Sequence, residues 1–341
     1  MLPAEAAEVA QPANPLEEAP CPGLRPEDEG PHPHSPAHES WQESWFWDWL
    51  DERGECAGHC RFGIHPSQDR AWLWLYLFAG SEWVALDEAR LPLSGWRGTS
   101  VAWDGWGLRL TFDATAPLRA GRLQVEGFGR VLSGPRAGLL LPLGIDLSLE
   151  GAGLARARGP GRVGGPGPSG FLANRYEQAT EVSGSLRLGA TELPFHGYGG
   201  REHVWGPRSW NLEWEVLALR LPGARVQASV VKIPEVGRLA TGLLERDLPV
   251  PLAAADFELE YRDDDLAHAV SGRVTLRGDD GSTIAGRLES ISAADLDISP
   301  MLAPHQRSVC RRALVRFWPR RTGWRKPSPC VGWFESNRFV D

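Results

Sequence analysis

The sequence predicts an all-β fold, two antiparallel sandwiches or barrels in tandem with one or two short helices. Three observations carry this. Apolar runs of four to eight residues recur between Gly, Asp or Pro breaks, the texture of short strands. Residues 151–170, GAGLARARGPGRVGGPGPSG, hold eight Gly and three Pro and mark a linker between two such regions. The 341 residues, 42% of them apolar, suffice for two domains with cores of their own.

Taken in order, residues 1–37 carry nine Pro, many acids and almost no aromatic residue. Such a segment buries too little apolar surface to offset its ordering entropy, so an acidic disordered tail is expected, dispensable for folding. Order is expected to begin near His38, because four Trp and one Phe fall between positions 41 and 49. RAWLWLYLFA, SEWVALDEARL, TSVAWDGWGLRLTFDA and GRLQVEGFGRVL read as strands, and Asp104-Gly105 signals a tight hairpin turn. Residues 38–170 form the first expected domain and 171–341 the second. The second repeats the strand texture, and DLAHAV and SVCRRALVRF are its two helical candidates.

Composition narrows the function. The net charge is −8, from 44 acidic and 36 basic residues, so no basic field points to nucleic acid. MLPAEAAEVAQ lacks the basic and apolar regions of a secretory signal, and the most apolar stretch, Ala71–Ala79, is far short of the roughly 20 residues that span a bilayer. Five scattered Cys suit a reducing compartment better than a disulfide framework, so a soluble cytoplasmic protein is expected. The 16 Trp exceed what a core of this size needs and suggest an apolar ligand pocket.

The densest functional run is Gly197–Trp214, GYGGREHVWGPRSWNLEW. Strand alternation puts Arg201, His203 and Trp205 on one face and Glu202 and Val204 on the other. Gly206-Pro207 must end the ladder, and Trp210, Leu212 and Trp214 then share a face again. If the two faces agree in sense, one barrel interior holds an Arg and an imidazole inside an aromatic cage. The alternative is a satisfied polar cluster closing a barrel end, with Arg201 or Arg208 bonded to backbone carbonyls.

GYGGREHVWGPRSWN resembles the Gly-x-Gly-x-Arg-Asp-His-x-Trp-Gly-x-Arg-x-Trp signature of the carotenoid 1,2-hydratase (hydroxyneurosporene synthase)-like superfamily. HESWQESWFW and RYEQATEVSGSLRLG fit its lipocalin-like tandem-domain branch, over residues 38–341. The resemblance implies two lipocalin-like (calycin-type) barrels side by side, with an apolar ligand at or near their interface. It also implies no single reaction, since members include hydratases of terminal isoprenoid alkenes, pericyclic cyclases and lipid-binding proteins. By resemblance, His203 and Trp205 match the hydratases' His-x-Trp pair. Their downstream Tyr-x-Asp has no counterpart in ARVQASVVKIPEVG, and Glu202 stands where Asp is usual.

The expected function is an enzyme that protonates an isoprenoid, terpenoid or polyene alkene and stabilises the cation on aromatic faces, giving cyclisation, isomerisation or hydration. Candidate catalytic residues are His203, Glu202, Glu39 and Arg201. Trp41, Trp45, Tyr198, Trp205, Arg208, Trp210 and Trp214 are the candidate substrate wall. A non-catalytic lipid or terpenoid carrier and a pericyclic (Diels-Alder type) cyclase are the alternatives. No cofactor or metal is expected; Cys56, His59, Cys60 and His65 lack a convincing zinc spacing. Residues 310–326 interleave seven basic residues with Phe317, Trp318 and Trp324, either a solvated rim or a peripheral membrane contact.

Overall fold

The structure, a computed structural model, describes residues 23–34, 39–158, 174–233, 237–246, 249–262, 265–320 and 328–340. Eleven strands make the first sheet: β1 (Trp41–Leu50), β2 (Cys56–His65), β3 (Arg70–Ala79), β4 (Glu82–Pro92), β5 (Val101–Gly105), β6 (Leu108–Ala116), β7 (Ala120–Val131), β8 (Leu140–Gly151), β9 (Arg156–Arg158), β10 (Asn174–Leu188) and β11 (Thr191–Pro207). Their order is β4-β3-β2-β1-β11-β10-β8-β7-β6-β5, with β9 beside β10. Val84 and Ala85 of β4 pair with Val131 and Arg130 of β7, so the sheet curls round onto itself. The other eight strands form a closed antiparallel barrel: β12 (Glu213–Leu221), β13 (Ala224–Ile233), β14 (Gly237–Glu245), β15 (Val250–Arg262), β16 (Asp265–Gly278), β17 (Thr283–Asp297), β18 (Ser308–Pro319) and β19 (Cys330–Phe339).

The all-β tandem architecture therefore stands, but its division differs from the expected one. The β10–β11 hairpin follows the Gly/Pro-rich segment yet inserts between β1 and β8. The motif strand β11 thus completes the first body instead of opening the second, and the junction lies between Pro207 and Glu213. Both helical candidates are strands: DLAHAV begins β16 and SVCRRALVRF is most of β18. Short 3-10 turns are the helical elements among the described residues. The β5–β6 hairpin turns at Trp106-Gly107, two residues beyond Asp104-Gly105, because both residues there take left-handed backbone conformations.

Strand β1 explains much of the Trp excess. Its odd positions, Trp41, Trp45, Trp47 and Trp49, enter the first barrel's core beside Phe62, Leu75 and Leu110. Its even positions face the second barrel, where Leu50 joins Trp72, Trp74, Trp83, Tyr198, Trp210 and Trp333 in a core between the bodies. Trp45, Trp47 and Trp49 are no more than 1% exposed. Each such ring removes about 150–250 Å² from water, roughly 4–6 kcal/mol as an upper figure. Tyr198 Oη donates to the Val331 carbonyl at 2.7 Å and Trp83 Nε1 to Ser292 Oγ at 2.8 Å, pinning the barrels together.

The glycines of the motif set the spacing of β11 against β1. A Cβ on Gly199 would stand 1.8 Å from the Asp48 carbonyl oxygen, which neither backbone can yield. Gly199→Ala is therefore expected to abolish the native fold or cost at least about 3 kcal/mol. The check is the denaturation midpoint, and an unchanged midpoint would show that the strands can separate.

Residues 23–34 correct the tail expectation. Pro26–Glu29 form a 3-10 turn, and Glu29 is 3% exposed. Its carboxylate accepts from Arg201 Nη1 (2.9 Å), Tyr176 Oη (2.6 Å) and the Leu118 amide (2.5 Å). Composition misses this, because one acid that finds a buried Arg outweighs the average of a polar segment. Residues 1–22 and 35–38 lie outside the described residues.

Candidate functional site

The residues singled out in the sequence fall into two constellations on opposite faces of the β1–β11 pair. Alternation holds along β11: Arg201, His203 and Trp205 point into the first barrel, opposite Trp47, Trp45 and Glu43 of β1. Glu202 and Tyr198 point the other way, toward the second barrel.

The inner constellation is closed. His203 is fully buried; its Nδ1 donates to the Asp28 carbonyl at 2.9 Å and its Nε2 lies 2.9 Å from Glu43 Oε1. Trp45 stacks on it at 4.7 Å and Trp205 lies at 4.9 Å. Trp205 itself stacks on His32 at 4.0 Å. Arg201 is held on two sides, by Glu29 and by Gln178 Oε1 at 2.7 Å, while its Nη2 is buried with no partner among the described residues. The protein's own N-terminal strap thus fills the space in which an aromatic cage for a ligand was expected. Trp41 is part of the same barrel core, overlaid by His34 at 4.7 Å.

The outer constellation lies in a cleft between the barrels, lined by Phe46, Asp48, Tyr198, Arg61, Arg312, Trp333 and Glu335 among others. Asp48 is buried, accepts the Gly200 amide at 2.7 Å and pairs with Arg312 Nη2. Arg312 Nη1 also donates to Glu335 Oε2 at 2.8 Å, so one guanidinium serves two carboxylates. Burial raises the Asp48 carboxyl above its ordinary value, outweighing Arg312 and the Gly200 amide. Arg61 Nε, Arg312 Nε and Trp333 Nε1 are buried donors with no partner among the described residues.

Several expectations need correction here. Trp210 and Trp214 do not share an interior with His203, because β11 ends at Pro207 and β12 starts afresh at Glu213. Both pack at the inter-barrel interface without lining the cleft: Trp210 Nε1 donates to Gln42 Oε1 at 2.7 Å, and Trp214 Nε1 to Glu335 Oε1 at 2.7 Å. Glu202 binds Arg61 at 2.9 Å and lies 3.7 Å from Arg175. Burial acts to raise its pKa, but Arg61, Arg175 and Arg208 outweigh that and hold it ionised, which unsuits it as an acid. Arg208 lies over the Trp210 ring at 4.0 Å, pushed down to about 9 by burial and by Arg61. Glu39 is exposed, and its backbone carbonyl, not its carboxylate, is engaged, by His65 and Ser67.

Aromatic faces at the inter-barrel interface, Tyr198 and Trp210 of the expected wall among them, already hold the protein's own arginines. Arg312 lies over Phe46 (4.9 Å) and Trp333 (4.6 Å), Arg61 over Phe46 and Trp210 (5.6 Å each), and Arg220 over Tyr198 (5.1 Å). Within residues 310–326, Arg311 pairs with Asp295 at 2.7 Å and Arg312 turns inward; residues 321–327 lie outside the described residues. Cys56, Cys60, Cys310 and Cys330 are free thiols. Among the described residues no helix is long and apolar enough to cross a membrane.

Asp48, Arg61, Arg312, Trp333 and Glu335 escaped the sequence reading, as did Glu29, His32 and Glu43. The available signal was the single acid at each of positions 43 and 48 of an otherwise Trp-rich strand buried on both faces.

Solved structures with this architecture include a candidate AttH (NE1406) from Nitrosomonas europaea, at 15% identity and a TM-score of 0.65, covering 94% of this chain and 100% of that one. Kievitone hydratase from Nectria haematococca matches at 11% identity and a TM-score of 0.58, over 93% of each chain. CghA with Sch210972 matches at 13% identity and a TM-score of 0.53, over 88% of each. At these identities the likeness establishes the fold. No curated protein sequence matches the chain. The model of a family described as a domain of unknown function, DUF7064, covers residues 25–340, beginning inside the strap and ending at the last described residue of the second barrel, and the chain belongs to that family.

Proposed function

We propose that the protein is an enzyme whose inter-barrel cleft binds an unsaturated apolar small molecule carrying an oxygen acceptor, and transfers a proton to it. Asp48 is the acid. The observation that carries this is the sharing of Arg312 between Asp48 and Glu335 in a buried site. Two carboxylates on one guanidinium favour retention of a proton, and a carboxylic acid kept neutral in an apolar cleft is suited to protonate an alkene or a conjugated carbonyl.

The arginines bear on the substrate's chemistry. A free carbocation about 5 Å from a guanidinium is opposed by about 3 kcal/mol at an effective dielectric of about 20. A carbonyl or enol oxygen meets the opposite situation, since the guanidiniums of Arg61 and Arg312 among the cleft's lining are hydrogen-bond donors. Protonation at carbon with the developing charge delocalised onto such an oxygen fits the cleft better than an isolated cation on a terpenoid hydrocarbon. Hydration, isomerisation or ring closure then follows from what attacks the activated carbon. The resemblance to carotenoid hydratases, and the occurrence of a kievitone hydratase among proteins of this fold, support the reaction class.

The test is capture followed by turnover. Small molecules extracted from the purified full chain are identified by mass spectrometry, and the one enriched over a Trp333→Ala variant is supplied as substrate. Turnover should fall as pH rises through the Asp48 pKa, because the ionised carboxylate has no proton to give. A ligand returned unchanged at every pH would make the protein a carrier.

A further inference from the structure

We propose that His32, Glu43 and His203 hold a divalent transition-metal ion, best matched by Zn²⁺, that clamps the N-terminal strap to the first barrel. This site is separate from the cleft and does not depend on the function proposed for it. Glu43 Oε1 lies 2.8 Å from His32 Nδ1 and 2.9 Å from His203 Nε2, and all three donor atoms lie within 4.8 Å of one another. Bonds of about 2.0–2.2 Å to a tetrahedral ion place neighbouring donors roughly 3.3 Å apart, about half an ångström more than the two nitrogen-to-Glu43 distances and inside the 4.8 Å that bounds the whole group. Two imidazoles and one carboxylate suit Zn²⁺, Co²⁺ or Ni²⁺, whereas Ca²⁺ and Mg²⁺ call for oxygen donors.

Charge and tautomer both call for a positive species at this point. Glu43 is fully buried, and its ion-pair partners among the described residues are the two imidazoles alone. A carbonyl oxygen accepts and never donates, so His203 Nδ1, bonded to the Asp28 carbonyl, carries the hydrogen. A neutral ring held this way aims the lone pair of Nε2 at a carboxylate oxygen, so a cation, whether a proton or a metal ion, belongs between the two. His32 is held in the complementary way: its Nε2 lies 3.5 Å from Asp28 Oδ1, leaving Nδ1 to face Glu43. One residue, Asp28, thus orients both rings with two different oxygens, the carbonyl–His–metal and carboxylate–His–metal arrangement that fixes ligand tautomers. The His32 amide completes the set by donating to Glu43 Oε1 and Oε2 at 3.0 and 3.1 Å. The His32 side chain is 16% exposed, and the other two ligands are fully buried, so the ion enters from the strap side.

The test uses the full chain stripped with a chelator and titrated with ZnCl₂ by calorimetry, with thermal unfolding recorded at each point. The expected result is one Zn²⁺ per chain, a melting temperature that rises with Zn²⁺, and binding weakened at least about tenfold in His32→Ala and in Glu43→Gln. His32→Ala removes a partly exposed ring, so its fold is checked by circular dichroism before titration. Co²⁺ added in place of Zn²⁺ should give visible d–d absorption that His32→Ala loses. Absence of saturable uptake, or uptake unchanged in both variants, overturns the proposal. So does a nitrogen-15 spectrum in excess Zn²⁺ showing both His203 ring nitrogens protonated, since a proton would then occupy the place assigned to the metal.

Discussion

Deleting residues 1–34 should destabilise the protein by about 3–5 kcal/mol or more relative to a chain lacking residues 1–22. The shorter deletion keeps Glu29, Asp28 and His32; the longer one removes all three. Arg201, 3% exposed, would then be left with Gln178 as its remaining side-chain partner, and a buried guanidinium without its carboxylate is among the costliest defects a core can carry. The Leu118 amide and Tyr176 Oη lose the same acceptor, and His203 Nδ1 loses the Asp28 carbonyl. Denaturant unfolding followed by Trp emission measures the difference. Glu29→Gln is the narrower probe, because it keeps the shape and removes only the charge. Equal midpoints for the two truncations would show that the strap is held without contributing to stability.

Asp48→Asn should lower turnover of the identified substrate by about 10²–10⁴-fold while leaving its affinity within a few-fold. The amide preserves size and still accepts the Gly200 N–H, but it has no proton to transfer. Glu202→Gln should do the reverse. Glu202 is an ionised partner of Arg61 and Arg175, so its loss leaves two guanidiniums undercompensated and lowers stability with little effect on rate. If Glu202→Gln, not Asp48→Asn, removed turnover, the acid would belong to β11 and the assignment to β1 would fail.

The contrast between these two acids shows what the sequence could convey. Alternation along GGREHVWGP correctly separates Arg201, His203 and Trp205 from Glu202, because a strand's period is a property of the backbone alone. It does not say which sheet the strand joins. That depends on β1, some 150 residues earlier in the chain, whose register puts Trp45 opposite His203 and Gly199 opposite Trp49. Of the two acid candidates, Glu202 lies on the motif strand and Glu39 two residues before β1, whereas the acids that enter the two constellations from β1 are Glu43 and Asp48. SVCRRALVRF misleads for a related reason. Its apolar residues satisfy helical spacing, but in β18 the alternate residues Ser308, Cys310, Arg312 and Leu314 are buried, and Arg312 is acceptable there because Glu335 faces it from β19 and Asp48 comes from the other barrel to meet it. Partners supplied from a distance leave no mark on local pattern.

The insertion of the β10–β11 hairpin between β1 and β8 also governs how the chain is made. As a nascent chain leaves the ribosome, strands β1–β8 emerge first, and β1 and β8 each present an edge with no partner until residues 174–207 follow. During that interval β1 offers four Trp and a Phe along an open edge, the sort of surface on which unfinished chains stick to one another. The first body therefore cannot close while it is being synthesised up to the Gly/Pro-rich segment. Its completion waits for a hairpin encoded after that segment, and pausing of translation just before residue 174 should raise aggregation more than pausing after 207.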